Sequence, residues 1–285
     1  MGEGANDLVR DISGLVTLPD VYLRISKLLD DPNSASSDIA KAVGQDPAFT
    51  LRLLKVANSP LYRFPSAVGS VAKAVSVIGT AQIRNLALSM SVARSFAGLP
   101  NDLVSMDNFW RHSLLCALIA RSLSKVARRL DADALFTAGL LHDIGELVIF
   151  NRRPEQAKQA LLAVLESDEE IPVCAAEQQA LGFDHAAVGG ALAQQWKLPS
   201  LLQECIAHHH DIMAATQHQR EVALVHIANS LAVMAELDTL DADDVTAIDP
   251  QAWERTGLTP ECIEEAVRDA QAAIGEVENL FAGKA

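Results

Sequence analysis

Apolar residues recur at spacings of three and four along most of this chain, the pattern of helices that bury one face. Asp46-Pro47 and Ser70 are typical helix starts, with a capping side chain before the first turn. After residue 105 the pattern predicts long helices at about 106–128, 131–151, 154–167, 172–180, 184–195, 199–210 and 218–237, and a last one from Thr259-Pro260. No segment alternates as a strand would, so the sequence predicts an all-α protein.

A change in character near residues 97–107 suggests a boundary. Gly98-Leu99-Pro100-Asn101 is a turn-forming run between a series of short predicted helices and a series of long ones. We therefore expect two parts, residues 1–105 and residues 106–285. The acidic C-terminal segment 238–285 is predicted to be helical and to belong to the second part.

The composition is that of a globular helical protein. Hydrophobic residues make up 49% of the chain, whereas charged residues make up 21% and aromatic residues 5%. The four cysteines have no C-x-x-C spacing, which favours reduced thiols and a cytoplasmic location. The N-terminus does not resemble a signal peptide, and no apolar run is long enough for a bilayer, so no membrane association is expected.

Charge is distributed unevenly along the chain. The net charge of −14 argues against a nucleic-acid partner. Residues 47–101, however, contain six basic residues and no acidic one. One interpretation is that this stretch docks against the acidic remainder of the chain. The other is a face for an anionic ligand or acidic partner, with Arg52, Lys55, Arg63 and Arg84 as its candidate residues.

Histidines and one aspartate recur in the second part. His142 and Asp143 are adjacent, and neighbouring positions on a helix differ by about 100° in direction, so both could reach one ion beside the helix. A lone buried histidine is usually a hydrogen-bonded core residue, but this set together is more specific. Imidazole and carboxylate groups are typical ligands of Fe, Mn, Mg, Ni and Zn. The candidate ligands are His112, His142, Asp143, His185, His209 and His210.

These positions resemble the motif of the HD superfamily of metal-dependent phosphohydrolases. The wider sequence is similar to the HD-related output domain, HDOD, over about residues 14–285. The phrases that carry the likeness are Asp46-Pro47-Ala48, Ala57-Asn58-Ser59, Phe109-Trp110-Arg111-His112-Ser113, Gly139 to Gly145, Glu177 to His185, and Trp196 with Leu198-Pro199. The resemblance implies an N-terminal helical lobe packed on an HD-like helical bundle, and a role in bacterial signal transduction.

Three departures from the related HD-GYP phosphodiesterases bear on catalysis. The Gly-Tyr-Pro element expected after the histidine pair is absent, and Glu146 stands where the active relatives have lysine. Asn229 corresponds to the late aspartate of the HD ligand set, and an amide is a poorer ligand than a carboxylate.

The resulting expectation is a regulatory module that is non-enzymatic or weakly enzymatic and acts by binding a signalling protein or a nucleotide-like small molecule, with a divalent metal if the cluster holds one. The alternative is a metal-dependent phosphohydrolase acting on a nucleotide or cyclic dinucleotide, with Asp143 as the catalytic bridging carboxylate. Reading of DNA is the most distant interpretation. The sequence leaves the oligomeric state open.

Overall fold

The fold was derived from a computed structural model, which describes residues 4–12, 18, 20–59, 61–62, 64–96, 103–127, 129–167, 171–240, 245 and 248–281. Within these residues all regular structure is helical, as the sequence predicts. Short 3₁₀ helices cover Ile212–Ala214 and Pro260–Cys262. The α-helices are α1 (Ala5–Ile12), α2 (Asp20–Asp30), α3 (Ser36–Gly44), α4 (Pro47–Ala57), α5 (Val71–Ile78), α6 (Thr80–Phe96), α7 (Met106–Val126), α8 (Ala132–Leu141), α9 (Ile144–Arg152), α10 (Pro154–Leu165), α11 (Val173–Leu181), α12 (His185–Gln195), α13 (Ser200–His208), α14 (Gln219–Leu237), α15 (Pro250–Thr256) and α16 (Ile263–Phe281).

Helix starts follow the capping residues of the sequence. The Asp46 carboxylate accepts a hydrogen bond from the Phe49 backbone N–H at 2.9 Å, and Pro47 occupies the first helical position of α4. Ser70 caps α5 in the same way, through the backbone N–H of Lys73. Both predicted starts are therefore confirmed.

Helix α7 is the centre of the second part. It packs against α8, α14 and α16, and most of its length is buried. Helix α12 lies between α9 and α13. None of the helices in the described ranges has the length and hydropathy that crossing a membrane requires.

Helices of each predicted part pack against helices of the other part. Helices α2 to α6 pack on one another, and α6 also contacts α8. The first helix, α1, instead packs against α9 and α12, and α16 reaches back to α4. Where the domain boundary falls stays a prediction, but the helices on either side of residue 105 share one hydrophobic core.

A half-buried arginine joins the two parts. Arg121 on α7 lies over the Tyr62 ring, 4.8 Å from its centroid, and forms an ion pair with Asp133 at 3.2 Å. Its guanidinium also donates to the backbone oxygen of Leu61. A planar guanidinium suits this combination of stacking and ion pairing.

One helix prediction is wrong in an informative way. The segment 131–151 is not one helix, because α8 ends at Leu141 and α9 begins at Ile144. Asp143 leaves helical geometry at φ −94° and ψ 12°. The predicted helix 199–210 likewise ends at His208. The chain therefore bends at His142-Asp143 and again at His209-His210, where apolar periodicity alone predicts continuous helix.

Candidate metal centre

The six candidate ligands lie at or near helix ends in the middle of the second part. His142 and Asp143 occupy the break between α8 and α9, and His185 is the first residue of α12. His209 and His210 follow the last residue of α13, and His112 lies in the second turn of α7. The structure brings all six together.

Close backbone packing allows these helix ends to meet. A Cβ atom on Gly145 would overlap the backbone oxygen of His185 and lie 2.6 Å from the backbone nitrogen of Gly189. A Cβ on Gly190 would lie 2.7 Å from the Cβ of Ala207 on α13. Because real Cβ atoms essentially never come this close to other atoms, only glycine permits α9, α12 and α13 to approach to this distance.

The Asp143 carboxylate is the geometric centre of the cluster. Its Oδ2 lies 2.9 Å from His142 Nε2 and 3.5 Å from His112 Nε2. Its Oδ1 lies 3.4 Å from His185 Nε2 and 3.4 Å from His209 Nε2. We call Oδ1 with His185, His209 and His210 the inner half of the cluster, and Oδ2 with His112 and His142 the outer half. In each half the ligand atoms all lie within 4.8 Å of one another.

The inner half is supported by a second carboxylate. Glu177 on α11 is buried, and its Oε2 accepts hydrogen bonds from both the backbone N–H and Nδ1 of His185, at 2.8 and 2.6 Å. His185 Nε2 then faces Asp143 and, at 2.9 Å, His210 Nε2. His209 is oriented through its Nδ1, which donates to the Ile206 oxygen at 3.0 Å. Such bonds fix the ring so that Nε2 faces the ion, a common arrangement at metal sites.

The outer half is arranged differently. His112 Nδ1 lies 2.9 Å from Glu236 Oε2, and His112 Nε2 lies 3.0 Å from Asn229 Oδ1. Both partners are acceptor oxygens, so His112 donates from both ring nitrogens and is positively charged in this arrangement. Burial opposes this charge, but the hydrogen bond that His112 donates to Glu236 and the Asp143 charge outweigh it, so the pKa of His112 is raised. A metal at this nitrogen would have to displace both its proton and the bond to Asn229.

The buried charges shift the pKa values of the cluster in opposite directions. Burial alone would raise the pKa of Asp143, but the His142 imidazole outweighs it and holds that pKa well below its ordinary value. Burial disfavours the charged forms of His142 and His185, yet the Asp143 carboxylate raises the pKa of His142, and Asp143 and Glu177 raise that of His185, both well above 6.5. Burial lowers the pKa of His209 to about 4, and it also lowers that of His210. The Asp143 and Glu177 carboxylates therefore stabilise positive charge on the groups beside them.

Three buried polar atoms test whether the cluster fits a metal ion. His142 Nε2, Asp143 Oδ1 and His209 Nε2 are buried and have no partner in hydrogen-bonding geometry within the described ranges. Buried polar atoms without partners are costly, and each of these faces the same small space. A divalent cation would engage all three atoms, so the residues present fit such an ion. Its identity is not determined by this arrangement.

A cleft reaches the cluster beside the outer half. It has a volume of about 730 Å³ and lies where α7, α14 and α16 meet the segment 103–105. His112 and Glu146 are among its lining residues. Burial and the nearby Asp143 charge raise the pKa of Glu146 to about 7.

The residues of the candidate anionic-partner face lie away from this cluster along the chain. Arg52 and Lys55 are three residues apart on α4, hence on one helix face, and Arg84 is on α6. Arg63 lies outside the described residues. Within the ranges described, no ion pair joins Arg52, Lys55 or Arg84 to an acidic side chain, which leaves their charge uncompensated.

Two carboxylates of the site have roles that sequence reasoning did not assign. Glu177 and Glu236 orient His185 and His112, from positions eight and 124 residues away along the chain. Glu177 falls within one of the phrases of the HDOD resemblance, which is the signal that could have found it. Nothing in the local sequence around Glu236 distinguishes it from other exposed helical acids.

Comparison with known families agrees with this geometry. Residues 15–212 match the HDOD domain. The chain belongs to the HDOD family. The match covers more than half of its length, including α2 to α13 and all six candidate ligands.

Solved structures similar to this HDOD protein share its architecture. An HDOD domain protein of unknown function from Geobacter sulfurreducens is 27% identical, with a TM-score of 0.75, over 98% of this chain and 97% of that one. A candidate phosphohydrolase from Shewanella amazonensis SB2B is 24% identical, with a TM-score of 0.77, over 96% and 98%. The second likeness shows a shared fold.

A curated relative is longer than this chain. An uncharacterized protein of Treponema pallidum (strain Nichols) is 27% identical over 221 residues, which are 76% of this chain and 42% of that protein. The HDOD chain therefore spans less than half the length of this relative.

Proposed function

We propose that this chain is a regulatory HDOD module that holds a divalent metal in its His/Asp cluster and acts by binding rather than by turnover. The observation that carries the proposal is the Asp143 carboxylate, which faces the Nε2 atoms of His142 and His112 with one oxygen and those of His185 and His209 with the other. Asp143, His185, His209 and His210 would hold an ion in the inner half. His112 and His142 would complete the outer half.

The residues of the outer half favour a binding module over a phosphohydrolase. Asn229 brings no charge to a position where a carboxylate would strengthen the binding of a metal ion. Its side-chain oxygen also accepts a hydrogen bond from His112 Nε2, the atom that a metal would need. Glu146 adds a carboxylate near Asp143, where a substrate phosphate would be repelled. A bound ion would supply Lewis acidity and charge to this site.

We further propose that the module passes its state to a signalling partner through the first part of the chain. Arg52, Lys55 and Arg84 carry charge that no described acid compensates, which suits an acidic protein surface. A Lys55→Glu substitution would weaken capture of such a partner, whereas Lys158→Glu on α10, an exposed control, would not.

The second candidate function is phosphohydrolysis. The two ligand groups share one carboxylate, and a shared carboxylate is compatible with a pair of ions that bind both sides of a phosphoryl group. This candidate predicts turnover of nucleotides or cyclic dinucleotides in the presence of Mn, Fe, Mg, Ni or Zn. Asp143 would be its catalytic residue.

Metal content separates these possibilities first. Untagged protein is analysed by mass spectrometry, because a histidine tag would bind metal itself. Wild type is expected to contain about one ion per chain or more, and Asp143→Asn to contain almost none. Asp211→Asn changes an exposed aspartate beside the same turn and should leave the content unchanged.

Activity on a broad phosphoester panel is measured on the same preparations. Metal without turnover supports the binding module. Turnover that disappears in Asp143→Asn supports the phosphohydrolase. If wild-type protein contained no metal even after incubation with each of these ions, the metal part of both candidate functions would be overturned.

A further inference from the structure

The first helix of the chain packs on two helices that build the inner half of the cluster. Helix α1 contacts α9 and α12, whereas α2 to α6 pack on one another. Helix α9 starts directly after Asp143, and His185 is the first residue of α12. The position of α1 therefore bears on the two helix ends that carry Asp143 and His185.

Helix α1 is held in this position by one short apolar face. Ala5, Leu8 and Val9 recur at the three- and four-residue spacing of a single helix face and belong to or pack against the hydrophobic core. Leu8 is 1% exposed and Val9 is 2% exposed. Asn6 and Arg10 are exposed on the other side of the helix. Burial of the apolar face therefore docks α1 on α9 and α12.

The docking of α1 is expected to be weaker than that of the longer helices. Helix α1 has 8 residues, and an isolated helix of this length is not stable in water. Its helical structure therefore depends on docking, and the burial of a few side chains must offset the entropy lost when the whole segment becomes ordered. Segments with few buried apolar contacts open more readily than the core of a protein. We therefore expect α1 to undock while the rest of the chain stays folded.

The packing of α9 on α12 beneath α1 leaves little room for adjustment. A Cβ atom on Gly145 would overlap the backbone oxygen of His185, and one on Gly189 would lie 2.7 Å from the Ile206 side chain. Asp143 Oδ1 and His185 Nε2 lie 3.4 Å apart across the same pair of helices. A metal site requires its ligands to lie within about 0.2 Å of their proper distances. A small separation of α9 from α12 would therefore be enough to weaken the inner half.

We propose that α1 is an intramolecular clamp that regulates the metal centre. Docked α1 holds α9 against α12 and keeps the inner half assembled, whereas undocked α1 lets the two helices separate and lowers the affinity for metal. A partner that captures the apolar face of α1 would then change the metal centre without entering it. The inference rests on the proposed function, since it states how the proposed metal centre is regulated.

Hydrogen exchange of the metal-free full-length chain tests the mechanical part of the clamp. Leu8→Asp places a charge in the buried face of α1 and is expected to undock it. Asn6→Asp adds the same charge on the exposed face of the same helix and is the matched control. Amide exchange in α9 and α12 should be at least about tenfold faster in Leu8→Asp and unchanged in Asn6→Asp, with α7 as the internal reference. Leu8→Ala, which only removes contacts, gives the same test if Leu8→Asp folds poorly.

The affinity for Zn²⁺ tests the regulatory part. Competition with a chelator should show an affinity at least about fivefold lower in Leu8→Asp than in wild type, and no change in Asn6→Asp. Coupling between two events is reciprocal. Saturating Zn²⁺ should therefore slow the exchange of the α1 amides in wild type by a similar factor.

Two results would overturn the clamp. One is unchanged exchange in α9 and α12 of Leu8→Asp while the amides of α1 itself exchange fast, and the other is an equal Zn²⁺ affinity in Leu8→Asp and wild type. Either result with metal still bound would reject the clamp and leave the proposed function standing. If wild type takes up no metal, the proposed function loses its metal part, and the exchange of α9 and α12 alone decides for or against the clamp.

Discussion

The two oxygens of Asp143 face halves of one cluster that differ in how they are held. In the inner half, Glu177 fixes His185 and a backbone oxygen fixes His209, both through Nδ1, so that the two Nε2 atoms face Asp143 Oδ1. In the outer half, Asn229 occupies the Nε2 atom of His112. The difference teaches that a ligand set which looks uniform in sequence can be held by different protein groups on its two sides.

Solvent access also differs among the ligands. His142, His185 and His209 are buried, whereas His112 borders the cleft together with Glu146 and Glu236. An ion in the inner half would be enclosed by protein. The outer half is where a ligand in the cleft would contact the cluster.

Disrupting the packing that forms both halves should have the largest effect. Gly145→Ala introduces a Cβ that overlaps the backbone of α12, which cannot move without displacing His185. We expect a loss of about 1–3 kcal/mol in the free energy of unfolding, measured by chemical denaturation, and loss of bound metal.

Gly44→Ala is the matched control for this packing effect. Nothing lies within 4 Å of a Cβ at that position of α3, so the free energy of unfolding should stay equal or rise by under about 1 kcal/mol. If Gly145→Ala behaved like Gly44→Ala, close packing of α9 on α12 would not be what assembles the cluster.

Removing the support of the inner half should weaken metal binding there. Glu177→Gln keeps a hydrogen-bond acceptor for His185 but removes the buried charge that stabilises the ring. A decrease of about 10–100-fold in metal affinity is expected from competition with a chelator. Glu254→Gln, an exposed glutamate on α15, should bind metal like wild type. An unchanged affinity in Glu177→Gln would mean that the inner half does not hold the ion.

A negative charge at residue 229 should make the outer half bind metal more as the inner half does. Asn229→Asp adds a carboxylate 3.0 Å from His112 Nε2, so the metal content should rise by about one ion per chain when metal is in excess. Asn33→Asp changes an exposed asparagine in a surface turn and serves as the control. Content that stays at the wild-type value in Asn229→Asp would show that Glu236 holds His112 away regardless of residue 229.

The smallest effect is expected at the turn that follows the histidine pair. Glu204 accepts hydrogen bonds from the backbone N–H groups of Thr216, Gln217 and His218 and from the Thr216 hydroxyl, which hold its pKa at about 2 although burial opposes this. Because the folded pKa is below the ordinary value of 4.5, the stabilisation is fully present above pH 4.5 and is lost as the pH falls toward 2.

Glu204→Gln should therefore be less stable than wild type near neutral pH, with the difference shrinking below pH 4.5. The measurement is urea denaturation at a series of pH values. The effect is small because the carboxylate is near the surface and screened by solvent. A difference that does not change with pH would mean that the charge of Glu204 contributes nothing to holding this turn.

Sequence reasoning determined the helical class, helix starts such as Asp46-Pro47, and the identity of the six candidate ligands. These depend on local chemistry, since capping side chains act within one turn and ligand types are recognisable by themselves. The HDOD match and the all-helical structure confirm the family and fold class.

Only the tertiary structure decided how those ligands are arranged. The break at His142-Asp143 is invisible to periodicity, because the apolar residues on both sides continue the helical pattern while the backbone bends. The approach of Gly145 to α12, and the bonds of Glu177 and Glu236 to histidines, join residues brought together by packing rather than by local sequence. The division of the cluster into an inner and an outer half is a property of those long-range contacts, which local propensities do not encode.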